Sequence, residues 1–302
     1  MPVTCNIKYD FKVDSKKFKT MSSDNQPIPV LVAGALGRMG SEVIKALNSS
    51  KDYELVGAID NQKEKEGEDI GSLIGLGPLD VILSSDFEAS LCAASQNVPN
   101  DGLNNRAVLV DFTHPKVAYK HTRTAIAYGV HPVIGTTGIS TDQIEDLSKF
   151  SEKASLGSAI IPNFSVGMVL LQQAAAAAAR FYEFAELTEM HHNKKADAPS
   201  GTCIKTAELI EEQRHAFNTS LVNEDELIEG SRGGLRNSGL RLHSIRLPGL
   251  VAHQQVMFGS NGETYELTHN TIDRSAYMPG VLLVVKKIRS FNQLVYGLEK
   301  IL

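Results

Sequence analysis

The sequence predicts an α/β fold: a doubly wound parallel sheet joined to an α+β domain with an open mixed sheet. Three observations predict it. From residue 28, short apolar runs alternate with amphipathic stretches, as parallel strands and crossover helices do. Glycines 34, 37 and 40 stand where the first run meets the first amphipathic stretch. After residue 165 the alternation yields to a long helical stretch and then a cluster of strand-like runs.

The elements follow in order. "IPVLVAG" is an apolar run ending in glycine, as a buried parallel strand would be. "GRMGSEVIKALNSS" has helical spacing, with Met39, Val43, Ile44 and Leu47 on one side. "YELVGAID" is a second strand, and "AVLVDFTHP" and "GVHPVIGTTG" are later ones separated by the helical "KVAYKHTRTAIAY". "STDQIEDLSKF" opens with Ser140 and Gln143 at capping-box spacing, and "SAIIPNF" is another short strand. "SVGMVLLQQAAAAAARFY" reads as one helix capped by Ser165, its alanines a close-packing surface. "FAELTEMHH" is a strand and "SGTCIKTAELIEEQ" a helix. "GLRLHSIRLPG", "LVAHQQVMFG" and "TYELTHNTI" are strand-like, the last two joined by the turn "SNGE". "SAYMPGVLLVVKKIRSF" is a final helix placed to return to the first domain. No internal repeat is visible.

Composition narrows the function classes. The 302 residues suffice for two domains of about 150 each. A net charge of −5 offers no global basic field for nucleic acid. No apolar run approaches the ~20 residues that span a bilayer. Cysteines 5, 92 and 203 are few and odd in number, which fits a reducing compartment, so a cytoplasmic protein is expected. Residues 1–26 lack the apolar core of a signal peptide and are expected to form a disordered extension, with Met21 as an internal candidate start.

The spacing of Gly34, Gly37 and Gly40 is G-x-x-G-x-x-G, and Asp60 follows at the end of the second strand. Such glycines let backbone N–H groups approach a pyrophosphate at a helix N-terminus, and the acid accepts from a ribose. The alternative, a glycine turn without ligand, does not call for Asp60. A Rossmann-like dinucleotide site is therefore expected at Gly34, Ala35, Leu36, Gly37, Arg38, Met39 and Asp60. Asp60 would repel the extra phosphate of NADPH, whereas Arg38, Lys63 and Lys65 could hold it. Both NADH and NADPH are expected to serve. Gly135, Thr136 and Thr137 of "GTTG", and Ile161, Pro162, Asn163 and Phe164 of "IPNF", end further strands where ligands of such sheets bind; by themselves both stretches read equally as ordinary turns, and it is the first glycine loop that favours a ligand.

"EMHHNKKADAPSGT" (189–202) delivers His191 and His192 to a strand end, facing opposite ways. Ser200 or Gly201 then starts a helix whose free N–H groups suit a carboxylate, with the Thr202 hydroxyl beside them. Lys195 supplies a cation and an acid. By the residues alone this is either a solvated loop or a site that binds a dianion and protonates it. The paired histidines lack a third ligand at a familiar spacing, so no metal is expected. Cys203 reads as a packing residue. His243, His253 and His269 are open between carboxylate binding and structure, and Arg246 is a plausible carboxylate partner.

"HHNKKADAPSGT" resembles the H-H-x-x-K-x-D-x-P-S-G-T signature of the dihydrodipicolinate reductases. "GALGRMG", "VDFTHP", "GTTG", "PNFSVG" and "HSIRLPG" stand in the family's order, and "LPGLVAHQQVMFG" is most like the plant and cyanobacterial branch. The resemblance implies NAD(P)H-dependent reduction of 4-hydroxy-tetrahydrodipicolinate, a small dicarboxylate, in the diaminopimelate route to lysine. It implies His191 as proton donor/acceptor, Lys195 as proton donor, and His192, Gly201 and Thr202 as substrate-binding. It also implies a homotetramer. The expected division is residues 27–162 and 275–302 for the dinucleotide and 163–274 for substrate and tetramer. Leu36 and Asn61 depart from common members and bear on cofactor choice. The rivals are another two-domain dehydrogenase, of the aspartate or homoserine type, and a non-enzymatic NAD(P)-sensing regulator.

Overall fold

Both faces of the first strand are apolar. In β1 (Ile28–Ala33), Val30 and Val32 point to one side and Leu31 and Ala33 to the other, all four buried. A strand covered on both faces belongs inside a parallel sheet with helices on each side. The structure, a computed structural model, describes residues 26–96, 106–219 and 222–302. The extension expected over residues 1–26 lies outside the described residues, except for Gln26.

The chain continues through α1 (Arg38–Asn48), β2 (Tyr53–Ile59), the single turn α2 (Ile70–Leu73) and β3 (Leu83–Ser84). Then come α3 (Phe87–Gln96), β4 (Val108–Asp111), α4 (Pro115–Ala127), β5 (His131–Ile134), α5 (Thr141–Ala154) and β6 (Ser158–Ile160). The expected capping box opens α5: Ser140 Oγ accepts from the Gln143 N–H at 3.3 Å, and Gln143 Oε1 accepts from the Ser140 N–H at 3.1 Å. The strands are parallel, in the order β3-β2-β1-β4-β5-β6. α1 covers one face, and α3, α4 and α5 cover the other. The winding reverses between β1 and β4. At such a point a crevice opens beyond the carboxyl ends of the strands.

Ser165 caps α6 (Val166–Ala178), its Oγ accepting from the Met168 N–H at 3.2 Å. β7 (Phe184–His191), α7 (Gly201–Glu211), β8 (Gly234–Leu235), β9 (Arg241–Arg246), β10 (Ala252–Ser260) and β11 (Glu263–Thr271) follow. They build a second sheet in the order β11-β10-β7-β9-β8. Only β7 and β9 run parallel, so the sheet is mixed, as expected. α6 and α7 pack on one face, where Ala175, Ala178 and Ala207 approach Leu187, Val256 and Phe258. The alanine run is thus a packing surface.

After a 3₁₀ turn at Arg274–Tyr277, α8 (Met278–Ile288) holds Pro279 in its first turn, where a missing N–H costs nothing. Val281, Val284, Val285 and Ile288 lie on the α1 side of the first sheet. β12 (Leu294–Tyr296) pairs in parallel with β6 and completes seven strands. β3, β8 and β12 have two or three residues each, too few to show a period, and no sequence run predicts them. Among the described residues no helix is long and apolar enough to cross a membrane.

Candidate active site

At the reversal between β1 and β4 the backbone leaves no room for side chains. Gly34 has φ +77°, and a Cβ on it would lie 2.7 Å from the Phe112 carbonyl oxygen. A Cβ on Gly40 would lie 2.0 Å from the Gly34 oxygen. Gly37 caps α1 without a side chain, leaving the first N–H groups of the helix for a ligand. Asp60 Oδ2 accepts from the Leu36 N–H at 3.0 Å, so the acid braces the loop. A cleft of about 400 Å³ runs here between Gly34, Asp60, Asn61, Phe87, Thr113 and His121. Lys63 and Lys65 lie on a 3₁₀ turn outside its wall, and Arg38 is exposed at the start of α1. A helix mouth without side chains beside an anchored acid fits a dinucleotide.

A buried carboxylate organises the floor. Asp111 accepts from the Thr113 N–H at 2.8 Å and its hydroxyl at 2.6 Å, and from the Thr136 hydroxyl at 3.3 Å. His121 Nδ1 lies 2.7 Å from its other oxygen, and the ring stacks on Phe87 at 3.9 Å. Phe87, Phe112, Thr113 and His121 therefore join the cleft without having been singled out from the sequence. Phe112 and Thr113 belong to "VDFTHP", a strand end that also carries the family resemblance, whereas Phe87 and His121 come from helices with no sequence signal of their own.

Two cavities lie between the sheets. One of about 270 Å³ touches Met39, Gly135, Phe164, His191, His253 and His269. The other, about 720 Å³, is walled by Thr137, His191, Lys195, Gly201, Thr202 and Lys205. Pro162 and Asn163 border both. Ala35 and Ile161 are fully buried, and their side chains belong to the core.

The His-Lys stretch grows out of β7. Glu189 and His191 continue the buried stripe of Ala185 and Leu187, because alternate strand residues share a face. His192 turns the chain: its Nδ1 accepts from the Lys194 N–H at 3.2 Å and its carbonyl from the Lys195 N–H at 3.1 Å. It lies on neither cavity wall. Lys195 Nζ meets Asp197 at 2.8 and 2.9 Å. Ser200 caps α7, accepting from the Cys203 N–H at 3.2 Å, and leaves Gly201 and Thr202 at the helix mouth.

Arg246 is not left for a ligand carboxylate. β7 and β9 pair His191 with Arg246, which carries the guanidinium to fully buried Glu189. Its two terminal nitrogens donate to the Glu189 oxygens at 2.6 and 3.0 Å. The Ser200 N–H adds a contact at 3.3 Å, and His191 Nδ1 a further short one to Glu189 Oε2. Burial pushes the Glu189 carboxyl up, but Arg246, Ser244 and His191 outweigh it and hold it below the usual range. Burial pushes His191 down, and the pull of Glu189 does not restore it. His243 is spent on Glu186 at 2.8 Å, while His253 and His269 border the smaller cavity, His269 against the Ser165 hydroxyl at 3.1 Å.

The comparisons with known proteins agree along the chain. The model of the dihydrodipicolinate reductase N-terminus matches residues 28–164, and that of its C-terminus matches residues 167–302. A 4-hydroxy-tetrahydrodipicolinate reductase of Prochlorococcus marinus is 86% identical over 282 residues, covering 93% of this chain and 100% of the relative. That of Gloeothece citriformis is 52% identical, over 91% of this chain and 98% of its own. A solved, dipicolinate-bound dihydrodipicolinate reductase from Paenisporosarcina sp. TG-14 superposes with a TM-score of 0.78 at 35% identity, over 92% of this chain and 100% of that one. An amine dehydrogenase from Mycobacterium smegmatis shares the fold alone, with a TM-score of 0.61 at 15% identity over 91% of this chain and 95% of its own. On this evidence the chain belongs to the dihydrodipicolinate reductase family.

Proposed function

We propose that the two cavities form one active site that reduces 4-hydroxy-tetrahydrodipicolinate to tetrahydrodipicolinate with NADH or NADPH. One observation carries the reading: His191, Lys195, Gly201 and Thr202 border a single cavity that shares Pro162, Asn163, His191 and Thr202 with the cavity beside Met39 and Gly135. The dipicolinate held by the Paenisporosarcina relative is a ring dicarboxylate, the chemical class this cavity suits.

Gly34 to Met39 and Asp60 hold the dinucleotide. Gly135 to Thr137 and Ile161 to Phe164 border its nicotinamide end, Ile161 through its backbone. The bound cofactor supplies hydride to the substrate ring. The α7 mouth, with Gly201 and Thr202, takes a substrate carboxylate, and His192 contributes by setting the turn that carries Lys195. Water leaves the 4-hydroxy compound to give a conjugated imine. Hydride enters at the far end of that conjugated system, the electron pair moves toward the ring nitrogen, and the enamine formed takes up a proton. Lys195 gives that proton after leaving Asp197, and His191 faces the same ring. A positioned acid contributes roughly 10²–10⁴ in rate.

Residues 27–162 and 275–302 make the dinucleotide unit, and residues 163–274 the substrate unit. The outer face of the second sheet, with Ile245 and Met257 exposed, pairs copies of the chain into a homotetramer in the cytoplasm. Sedimentation of the purified protein at tetramer mass is expected; a monomer would contradict this.

The test of the site is steady-state turnover of enzymatically made substrate, with NADH and NADPH side by side. Lys195→Ala is expected to lower kcat roughly 10²–10⁴-fold with little change in cofactor affinity. Unchanged turnover removes Lys195 from the mechanism.

A further inference from the structure

Glu189 has no exposure, yet it stands two residues from His191 and none of the roles above uses it. Its two oxygens meet both terminal nitrogens of Arg246, the Ser200 N–H and His191 Nδ1, and the Ser244 side chain also hydrogen-bonds to the carboxylate. An ionised carboxylate only accepts, so the hydrogen between it and His191 belongs to Nδ1. When the ring is neutral, its lone pair is then at Nε2. Nε2 has no protein partner among the described residues, and the ring borders both cavities.

The charges around the ring decide whether it stays neutral. Glu189 alone would favour an imidazolium. Arg246 offsets it with two charge-assisted hydrogen bonds, and Lys195 adds a second positive charge nearby. Arg246 does more than neutralise. Its NH2 group also donates to the Asp197 carbonyl at 2.7 Å, on the loop that carries Lys195. One guanidinium thus fixes the carboxylate behind His191 and the backbone beside Lys195.

We infer that Glu189, clamped by Arg246, is a positioning residue that holds His191 as a neutral Nδ1–H tautomer with Nε2 turned to the substrate, so that His191 works as an acceptor and Lys195 as the proton donor. The inference rests on the proposed function of the cleft and divides the labour between its two central residues. Burial of the ring supports it, since desolvation also favours the neutral form.

The test is nitrogen-15 NMR of histidine-labelled full-length protein near neutral pH, with the His191 signals assigned by their loss in His191→Ala. Wild-type protein is expected to show a protonated Nδ1 and a bare Nε2. Glu189→Gln, which keeps the shape and can both donate and accept, is expected to mix the tautomers. It should lower kcat about 10–100-fold and leave the KM for the cofactor within about twofold. In a His191→Ala background the same change should cost no more than about twofold. A proton on Nε2 in the wild type, or an imidazolium, overturns the inference. So does an equal loss from Glu189→Gln in both backgrounds, which would mark a merely structural carboxylate. Full turnover by His191→Ala would overturn the proposed role of His191 as well, whereas a wrong tautomer alone leaves that role standing.

Discussion

Cys203 opens α7, where the helix dipole favours a thiolate, but burial pushes its thiol up to about 12. Burial prevails because the side chain has no exposure and packs among Ala207, Leu187 and Leu242. Native protein treated with a maleimide near neutral pH should therefore carry label on partly exposed Cys92 and none on Cys203, as read by mass spectrometry. Label on native Cys203 would contradict its placement. The residues legible in the sequence were those whose chemistry is local: glycines at a strand–helix join, and an acid one strand later. Glu189 was not legible as a site residue, because its meaning comes from Arg246, 57 positions away. From the sequence Arg246 reads only as a plausible carboxylate partner, for the same reason: the β7–β9 register is needed to show which carboxylate it meets.

Among the elements, α1 depends most on the absence of side chains. Gly40 lies against the Gly34 carbonyl so closely that Gly40→Ala must push the helix away from the loop. Overpacking of that kind costs about 1–3 kcal/mol, which corresponds to roughly 5–150-fold in cofactor affinity if the loop absorbs it. Titration of NADH fluorescence should show the loss while circular dichroism stays native. Unchanged affinity would mean the loop tolerates a Cβ. At this scale most helices were readable, since caps such as Ser140 with Gln143, Ser165 and Ser200 announce themselves. β12 was not, because three residues beside β6 acquire their strand character only from the edge they complete.

For the whole molecule, two kinds of buried or partly buried group tie stability to pH. His191 and His269 are both held below the ordinary 6.5, in each case chiefly by burial. As the pH falls through 6.5 the unfolded chain takes up protons before the folded one does, so stability drops. Glu189 and Glu186 are net lowered from 4.5 against the opposing pull of burial, and Glu211 is lowered by Arg236. Their contribution is present above 4.5 and is lost as the pH falls below it. The thermal midpoint should decline in a first step below about pH 6.5 and a second below about pH 4.5. A midpoint that rises between neutrality and pH 5 would contradict the partial burial of the two histidines.

The two sheets matter together because the nucleotide cleft belongs to the first, His191 and Lys195 to the second, and the cavities to both. The most direct measurement is a crystal structure of the ternary complex with oxidised cofactor and dipicolinate. Lys195 Nζ is expected to have left Asp197 and to lie about 3 Å from the ring ligand, beside the nicotinamide. If Lys195 stays on Asp197 with both ligands bound, hydride and proton do not converge in this cleft and the account is wrong.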